Sequence, residues 1–158
     1  MNDEDYIRRC IELSKEAKER GDQPFGCVIV LGGRIIAEAS NDKNCKLNHH
    51  AEILAMNKAT DVLVTNDLTG CTLYTNCEPC PMCAFMIREH KISRVVFAIH
   101  SPNMGGYSKW KILQDEGLGK YDNWFSKNTA VASGILEEEA LKVFKGTPLT
   151  MFGRKNRQ

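Results

Sequence analysis

The eight residues NCEPCPMC, Asn76 to Cys83, constrain this chain more than any other stretch. Three cysteines, Cys77, Cys80 and Cys83, form a CxxCxxC ladder that a strand-like run, CTLYT, enters and a helical run, CAFMIREH, leaves. Pro79 has a fixed φ suited to a first helical position, so a helix is predicted to begin near Pro79 or Cys80. Cys80 and Cys83 then stand i, i+3 on one face of the first turn, where both sulfurs can close on one ion. The partial positive charge of a helix N-terminus also favours the thiolate form that a metal requires. The ladder therefore demands a strand, a turn and a helix start in succession, with a metal at the junction.

The rest of the sequence supplies matching elements. Tyr6, Cys10, Leu13 and Ala17 recur at helical spacing, so residues 3 to 20 read as an amphipathic helix ended by Gly21. PFGCVIVLGGRIIAEAS gives two strand-like runs around Gly32-Gly33, a hairpin signal. HAEILAMNKAT reads as a helix opening at His49 or His50, RVVFAIH as a strand from Arg94 to His100, and residues 109 to 115 as a short helix. TAVASGI reads as a last strand and LEEEALKVFKG as a last helix stopped by Gly146. Strands and helices alternate, which argues an α/β sandwich around a sheet of about five strands, made mixed by the opening hairpin.

At 158 residues the chain has the size of one ordinary domain, and residues 1–158 are read as a single one. The first residues, MNDEDY, carry three acids and no apolar run follows, so neither a signal peptide nor a membrane span is expected and the reading is cytoplasmic. Seven cysteines in such a chain disfavour a disulfide framework and favour metal ligands plus buried thiols, with Cys10, Cys27 and Cys71 assigned to the core. With 21 basic against 20 acidic residues, no global field recruits nucleic acid or an anionic membrane. The basic tail RKNRQ reads as solvated.

A third ligand must come from outside the ladder, and His50, at its own predicted helix start, is the best offer. An iron–sulfur cluster would need a fourth cysteine and proline after the ladder, but positions 84 to 88 are Ala-Phe-Met-Ile-Arg and no cysteine follows Cys83. A structural zinc site would close its tetrahedron with Cys77 or His49 and leave nothing catalytic. Glu52 argues for a third arrangement. A carboxylate at an otherwise apolar helix start needs a partner, and a water activated by zinc is a suitable one. The catalytic reading is Zn²⁺ held by His50, Cys80 and Cys83, with an open position for water and Glu52 moving its proton.

HAE followed by PCPMC resembles the HxE…PCxxC signature of the cytidine deaminase superfamily. The likeness extends from the first helix to at least SGILEEEA. It implies a three-layer α/β/α sandwich, a homodimer or larger homo-oligomer, hydrolytic loss of ammonia, and the roles just given to His50, Glu52, Cys80 and Cys83. It also implies that the Ala51 amide bonds a substrate carbonyl, that Asn41 bonds the base or sugar, that Phe25 stacks on the ring, and that Glu78 orients the loop or touches substrate. Within the superfamily, PFGCVIV and LYTNCEPCPMC are similar to the guanine deaminases and other small nucleobase or nucleoside deaminases. The expected substrate is therefore a free nucleobase or nucleoside with a guanine-like ring. The alternative is tRNA-specific deamination of adenosine to inosine, which HSPNMGGYSKW after the fourth strand disfavours because that branch carries a glycine-rich, lysine-bearing segment there. A structural zinc module is the remaining reading.

His49, His90 and His100 read as bystanders or structural residues. Tyr107, Trp110, Tyr121, Trp124 and Phe125 gather after the fourth strand beside Gly105-Gly106; they read as a lid over a flat base or as core and dimer packing. Phe152, near the C-terminus, is a further aromatic that could reach a site, a neighbour's included.

Overall fold

The computed structural model describes residues 1–148. The chain runs through α1 (Asp3–Glu19), β1 (Gly26–Leu31), β2 (Arg34–Ser40), α2 (Ala51–Leu63), β3 (Thr72–Cys77), α3 (Pro81–Glu89), β4 (Arg94–Ile99), α4 (Glu116–Gly119), β5 (Ala130–Ser133) and α5 (Glu137–Val143). The strands form one mixed sheet in the order β2-β1-β3-β4-β5. β1 pairs antiparallel with both β2 and β3, whereas β3–β4 and β4–β5 are parallel.

The sheet alternates its side chains between two cores, as a period of two requires. Cys27 and Ile29 of β1, Leu73 of β3, and Val95 and Phe97 of β4 pack with α2 and α3, whose Ala55, Met56, Ala59, Ala84 and Ile87 are buried there. Val28, Val30, Tyr74, Val96 and Ala98 face the other way, onto α1 and α5 through Tyr6, Ile7, Cys10, Leu13, Ala140 and Phe144. Helices thus cover both faces, giving the α/β/α layers. Cys10, Cys27 and Cys71 are fully buried, as their apolar surroundings in the sequence require.

α1 opens on a capping box: Asn2 Oδ1 accepts from the Asp5 amide at 3.0 Å and Asp5 Oδ2 accepts from the Asn2 amide at 2.8 Å. α3 begins at Pro81, with Cys80 as its N-cap, one or two residues later than expected. The helix expected over 109–115 is absent. Instead, the Ile112 amide reaches back to the Gly106 carbonyl at 2.7 Å, Lys111 adopts a left-handed backbone with φ 56°, and helix forms only at α4. The Leu113 amide turns back to the same Gly106 carbonyl at 3.2 Å, so neither amide makes a helical bond. The fully buried Arg88 of α3 donates to the carbonyls of Ile112, Leu113 and Asp115 at 2.8, 3.2 and 3.0 Å and holds the segment in this irregular course. Among the described residues no helix is long and apolar enough to cross a membrane.

Candidate active site

Two helix N-termini meet at the end of β3. His50 is the N-cap of α2, Cys80 is the N-cap of α3, and Cys83 lies one turn further along α3. His50 Nδ1 lies 3.6 Å from Cys80 Sγ and 3.6 Å from Cys83 Sγ, and the three donor atoms all fall within 4.8 Å of one another. A tetrahedral zinc with Zn–N of ~2.0–2.1 Å and Zn–S of ~2.3 Å separates a nitrogen and a sulfur ligand by about 3.6 Å. The donor set and its spacing therefore fit zinc.

The electrostatics of the cluster point the same way. Cys80 is pulled down to about 4, first by a hydrogen bond from Cys83 and then, against burial, by His50. Cys83 is pushed well above its ordinary value by holding the proton that Cys80 accepts, and burial adds to this. One proton thus serves two sulfurs, and a cation would displace it. His50 is raised, chiefly by its hydrogen bond to Cys80. Glu52, only 5% exposed, is pushed up to about 7, first by burial and then by the negative charge of Cys80. Imidazole and carboxylate both respond to a pocket short of positive charge.

The remaining expected site residues divide. Asn41 Oδ1 accepts from the Ala51 amide at 2.9 Å, so Asn41 caps α2 from the preceding loop. The amide that the resemblance assigns to a substrate carbonyl is engaged by Asn41 in this structure, because the N–H at a buried helix start needs an acceptor. The Asn41 Nδ2 amide is buried beside the Asp22 carboxylate, which it helps hold below its ordinary value, but it is too poorly aligned for a good hydrogen bond. Phe25 packs edge-on against Phe144 with centroids 5.6 Å apart, between the two cores. Glu78 turns into the loop after β4. Its carboxylate accepts from the Ser108 hydroxyl, the Ser108 amide at 3.0 Å and the Tyr107 amide at 3.4 Å, with His100 Nδ1 3.5 Å away. Of its two expected roles, the loop-orienting one is what the geometry shows. A Cβ on Gly105 would fall 1.2 Å from Glu78 Oε2, so only glycine lets the loop close on this carboxylate.

Cys77, the remaining member of the ladder, is not one of the grouped donors. It is 1% exposed and packs with its strand partner Ile99 in the α1/α5 core. Trp110, Tyr121 and Trp124 are 52%, 61% and 68% exposed, not core. His90, with Nδ1 2.8 Å from the Asn66 carbonyl, is structural as expected. Phe152 and the RKNRQ tail lie outside the described residues.

Two supports escaped the sequence reading. Asn76 is fully buried; its Oδ1 accepts from the Gly26 amide and its Nδ2 donates to the Pro24 carbonyl, both at 2.9 Å, which fixes the segment carrying Phe25. Arg88 ties α3 to the 112–126 segment, donating also to the Ser126 hydroxyl and carbonyl at 2.9 and 2.7 Å. Its only sequence signal is an arginine on the apolar face that carries Ala84 and Ile87.

Residues 1–99 match the family model of the cytidine and deoxycytidylate deaminase zinc-binding region. The chain belongs to this deaminase family. As a family member it is a zinc-dependent hydrolytic deaminase. It is 38% identical over 160 residues to a tRNA-specific adenosine deaminase of Bacillus subtilis, covering 99% of this chain and 91% of the relative. It is 45% identical over 101 residues to a guanine deaminase of the same organism, covering 62% of this chain and 65% of that one. Among solved structures, a deaminase of A-to-I editing at the tRNA wobble position superposes with a TM-score of 0.77 at 30% identity, covering 87% of this chain and 97% of that one. The Bacillus subtilis guanine deaminase superposes with a TM-score of 0.60 at 35% identity, covering 77% of this chain and 76% of that one.

Proposed function

We propose that this deaminase acts on tRNA, converting an adenosine to inosine with release of ammonia. The observation that carries the reading is the end-to-end likeness, 38% over 99% of the chain, to a tRNA-specific adenosine deaminase, whereas the likeness to guanine deaminase covers 62%. The preference drawn from the PFGCVIV and NCEPCPMC motifs is revised accordingly. Those motifs cover short stretches, and they weigh less than a likeness that spans 99% of the chain.

The surface is consistent with a large aromatic substrate. A base inside a folded RNA must be splayed out before chemistry on its ring, and unstacked bases are held by aromatic side chains. Tyr121 and Trp124 stack with centroids 6.5 Å apart at 14°, and Lys109 Nζ sits 5.6 Å from the Trp110 ring, all on exposed surface. The same proposal takes the protein as a homo-oligomer, with the half-exposed Met82 and Phe85 of α3 as apolar surface for a second copy.

Zinc, when held by His50, Cys80 and Cys83, supplies the Lewis-acid activation of water. Glu52 would take one proton from that water and hand it to the ring nitrogen as the C–O bond forms, then take the remaining hydroxyl proton and hand it to the amine as the C–N bond breaks, leaving a carbonyl and ammonia. Burial suits Glu52 to both directions of transfer, because a carboxyl held near neutrality gives up a proton as readily as it takes one. Asn41 and Phe25 are proposed to orient the base, with Ala51 held in place by Asn41.

A second reading, hydrolysis of a free guanine-like base, rests on the 45% identity over the shared 101 residues. Inosine formation in unmodified tRNA transcripts, measured beside ammonia release from guanine, separates the two. The proposal expects inosine and no turnover of guanine; guanine turnover without inosine contradicts it.

A further inference from the structure

Ahead of α2, the loop between β2 and α2 carries a second set of donors. Asp42, Cys45 and His49 bring a carboxylate oxygen, a thiol sulfur and an imidazole nitrogen within 4.8 Å of one another, with His49 Nδ1 3.9 Å from Asp42 Oδ2. His49 Nδ1 is buried and has no hydrogen-bond partner among the described residues. A buried imidazole nitrogen left without a partner costs free energy, and here it lies beside a carboxylate with a thiol in reach. We propose that Asp42, Cys45 and His49 form a second site for a transition metal of the zinc class, separate from the catalytic cluster.

The loop is built to hold such a group. Its ends are tied by the Asp42 amide donating to the His49 carbonyl at 2.9 Å, and its turn is closed by the Cys45 amide on the Asp42 carbonyl at 3.1 Å. It is anchored to the end of α1 by Asn44, whose amide donates to Asp22 Oδ2 at 3.1 Å. The donors are therefore on a pinned frame, while the exposed side chains of Asp42 and Cys45 remain free to adjust. A tetrahedral zinc would bring imidazole nitrogen and carboxylate oxygen to about 3.4 Å, a closure of roughly half an ångström. One sulfur, one nitrogen and one oxygen select zinc, cobalt, nickel or copper over magnesium or calcium, which prefer oxygen alone. Thiolate and carboxylate together balance a divalent charge, with the thiol proton released to solvent and water completing the shell. Lys43 and Lys46 flank the donors and make this the weaker of the two sites. Because the loop is bounded by Asn41 and His50, filling it would stiffen both a proposed substrate contact and a catalytic ligand.

The inference does not depend on the substrate, and its test reads metal and not turnover. Zinc-loaded protein is dialysed to equilibrium against free Zn²⁺, and bound zinc is counted for wild type, Cys45→Ser and His49→Gln. A second equivalent in the wild type that both variants lose while keeping the first supports the site. A wild type that stops at one equivalent, or variants that keep the second, overturns it. Co²⁺ added to the zinc-loaded protein gives an independent reading: a thiolate-to-cobalt charge-transfer band present in the wild type and gone in Cys45→Ser is expected, and a band unchanged by that substitution contradicts the assignment.

Discussion

Cys77 and Cys80 stand three residues apart and are chemical opposites. Burial pushes the Cys77 thiol well above its ordinary value, while the Cys83 hydrogen bond draws Cys80 down to about 4. The difference is one of position, since Cys77 ends β3 inside the α1/α5 core and Cys80 caps α3 beside His50. Cys77→Ser is therefore expected to keep its zinc, measured by elemental analysis, and to lose ~1–3 kcal/mol of stability in denaturant titration for burying a hydroxyl. The grouping of His50, Cys80 and Cys83 and the burial of Glu52 were legible because each depends on a local rule, spacing at a helix start or a carboxylate in an apolar pattern. Asn41 and Glu78 were less so. Their partners, the Ala51 amide and the 101–108 loop, are set by how the loops fold back, which spacing does not encode.

At the scale of elements, the fit of α1 on β1 fixes much of the fold. A Cβ on Gly26 would lie 2.3 Å from the Cys10 carbonyl oxygen, 2.7 Å from Leu13 Cβ and 2.9 Å from the Ser14 nitrogen. Two of those contacts are backbone and cannot swing aside. Gly26→Ala is expected to cost at least ~1–3 kcal/mol and to lower the melting temperature, because the helix must lift from the strand. The opening helix, the hairpin and the mixed character of a five-stranded sheet follow from periodicity and turn residues in the sequence, whereas the strand order is seen only in the structure. The helix expected at 109–115 did not form: the Ile112 and Leu113 amides turn back to the Gly106 carbonyl, and a buried arginine on a different element holds the irregular segment by its carbonyls. A reading of that segment alone has no access to Arg88.

At the scale of the molecule, a network ties the N-terminal helix to the sheet across 91 residues. Arg94 donates to Asp3 Oδ1 and Oδ2 at 2.9 and 2.7 Å, and the Tyr74 hydroxyl donates to Asp3 at 2.8 Å. The Arg94 hydrogen bonds hold the Asp3 carboxyl below its ordinary value, against a smaller opposing effect of burial. A depressed carboxyl stabilises the fold at pH above its unfolded value, ~3.9, and loses that contribution as pH falls through the lower folded value. Wild type should thus lose more stability between about pH 5 and pH 3 than Asp3→Asn, by no more than ~1 kcal/mol because the pair is partly solvated. Equal acid sensitivity of the two would contradict the network's role. The account as a whole rests on Glu52 as the group that moves the proton beside zinc. The most direct measurement is turnover by zinc-replete Glu52→Gln on the substrate that the wild type deaminates. Retention of zinc with a fall in rate of at least ~10²–10⁴-fold is the predicted result; ammonia release near the wild-type rate would contradict it.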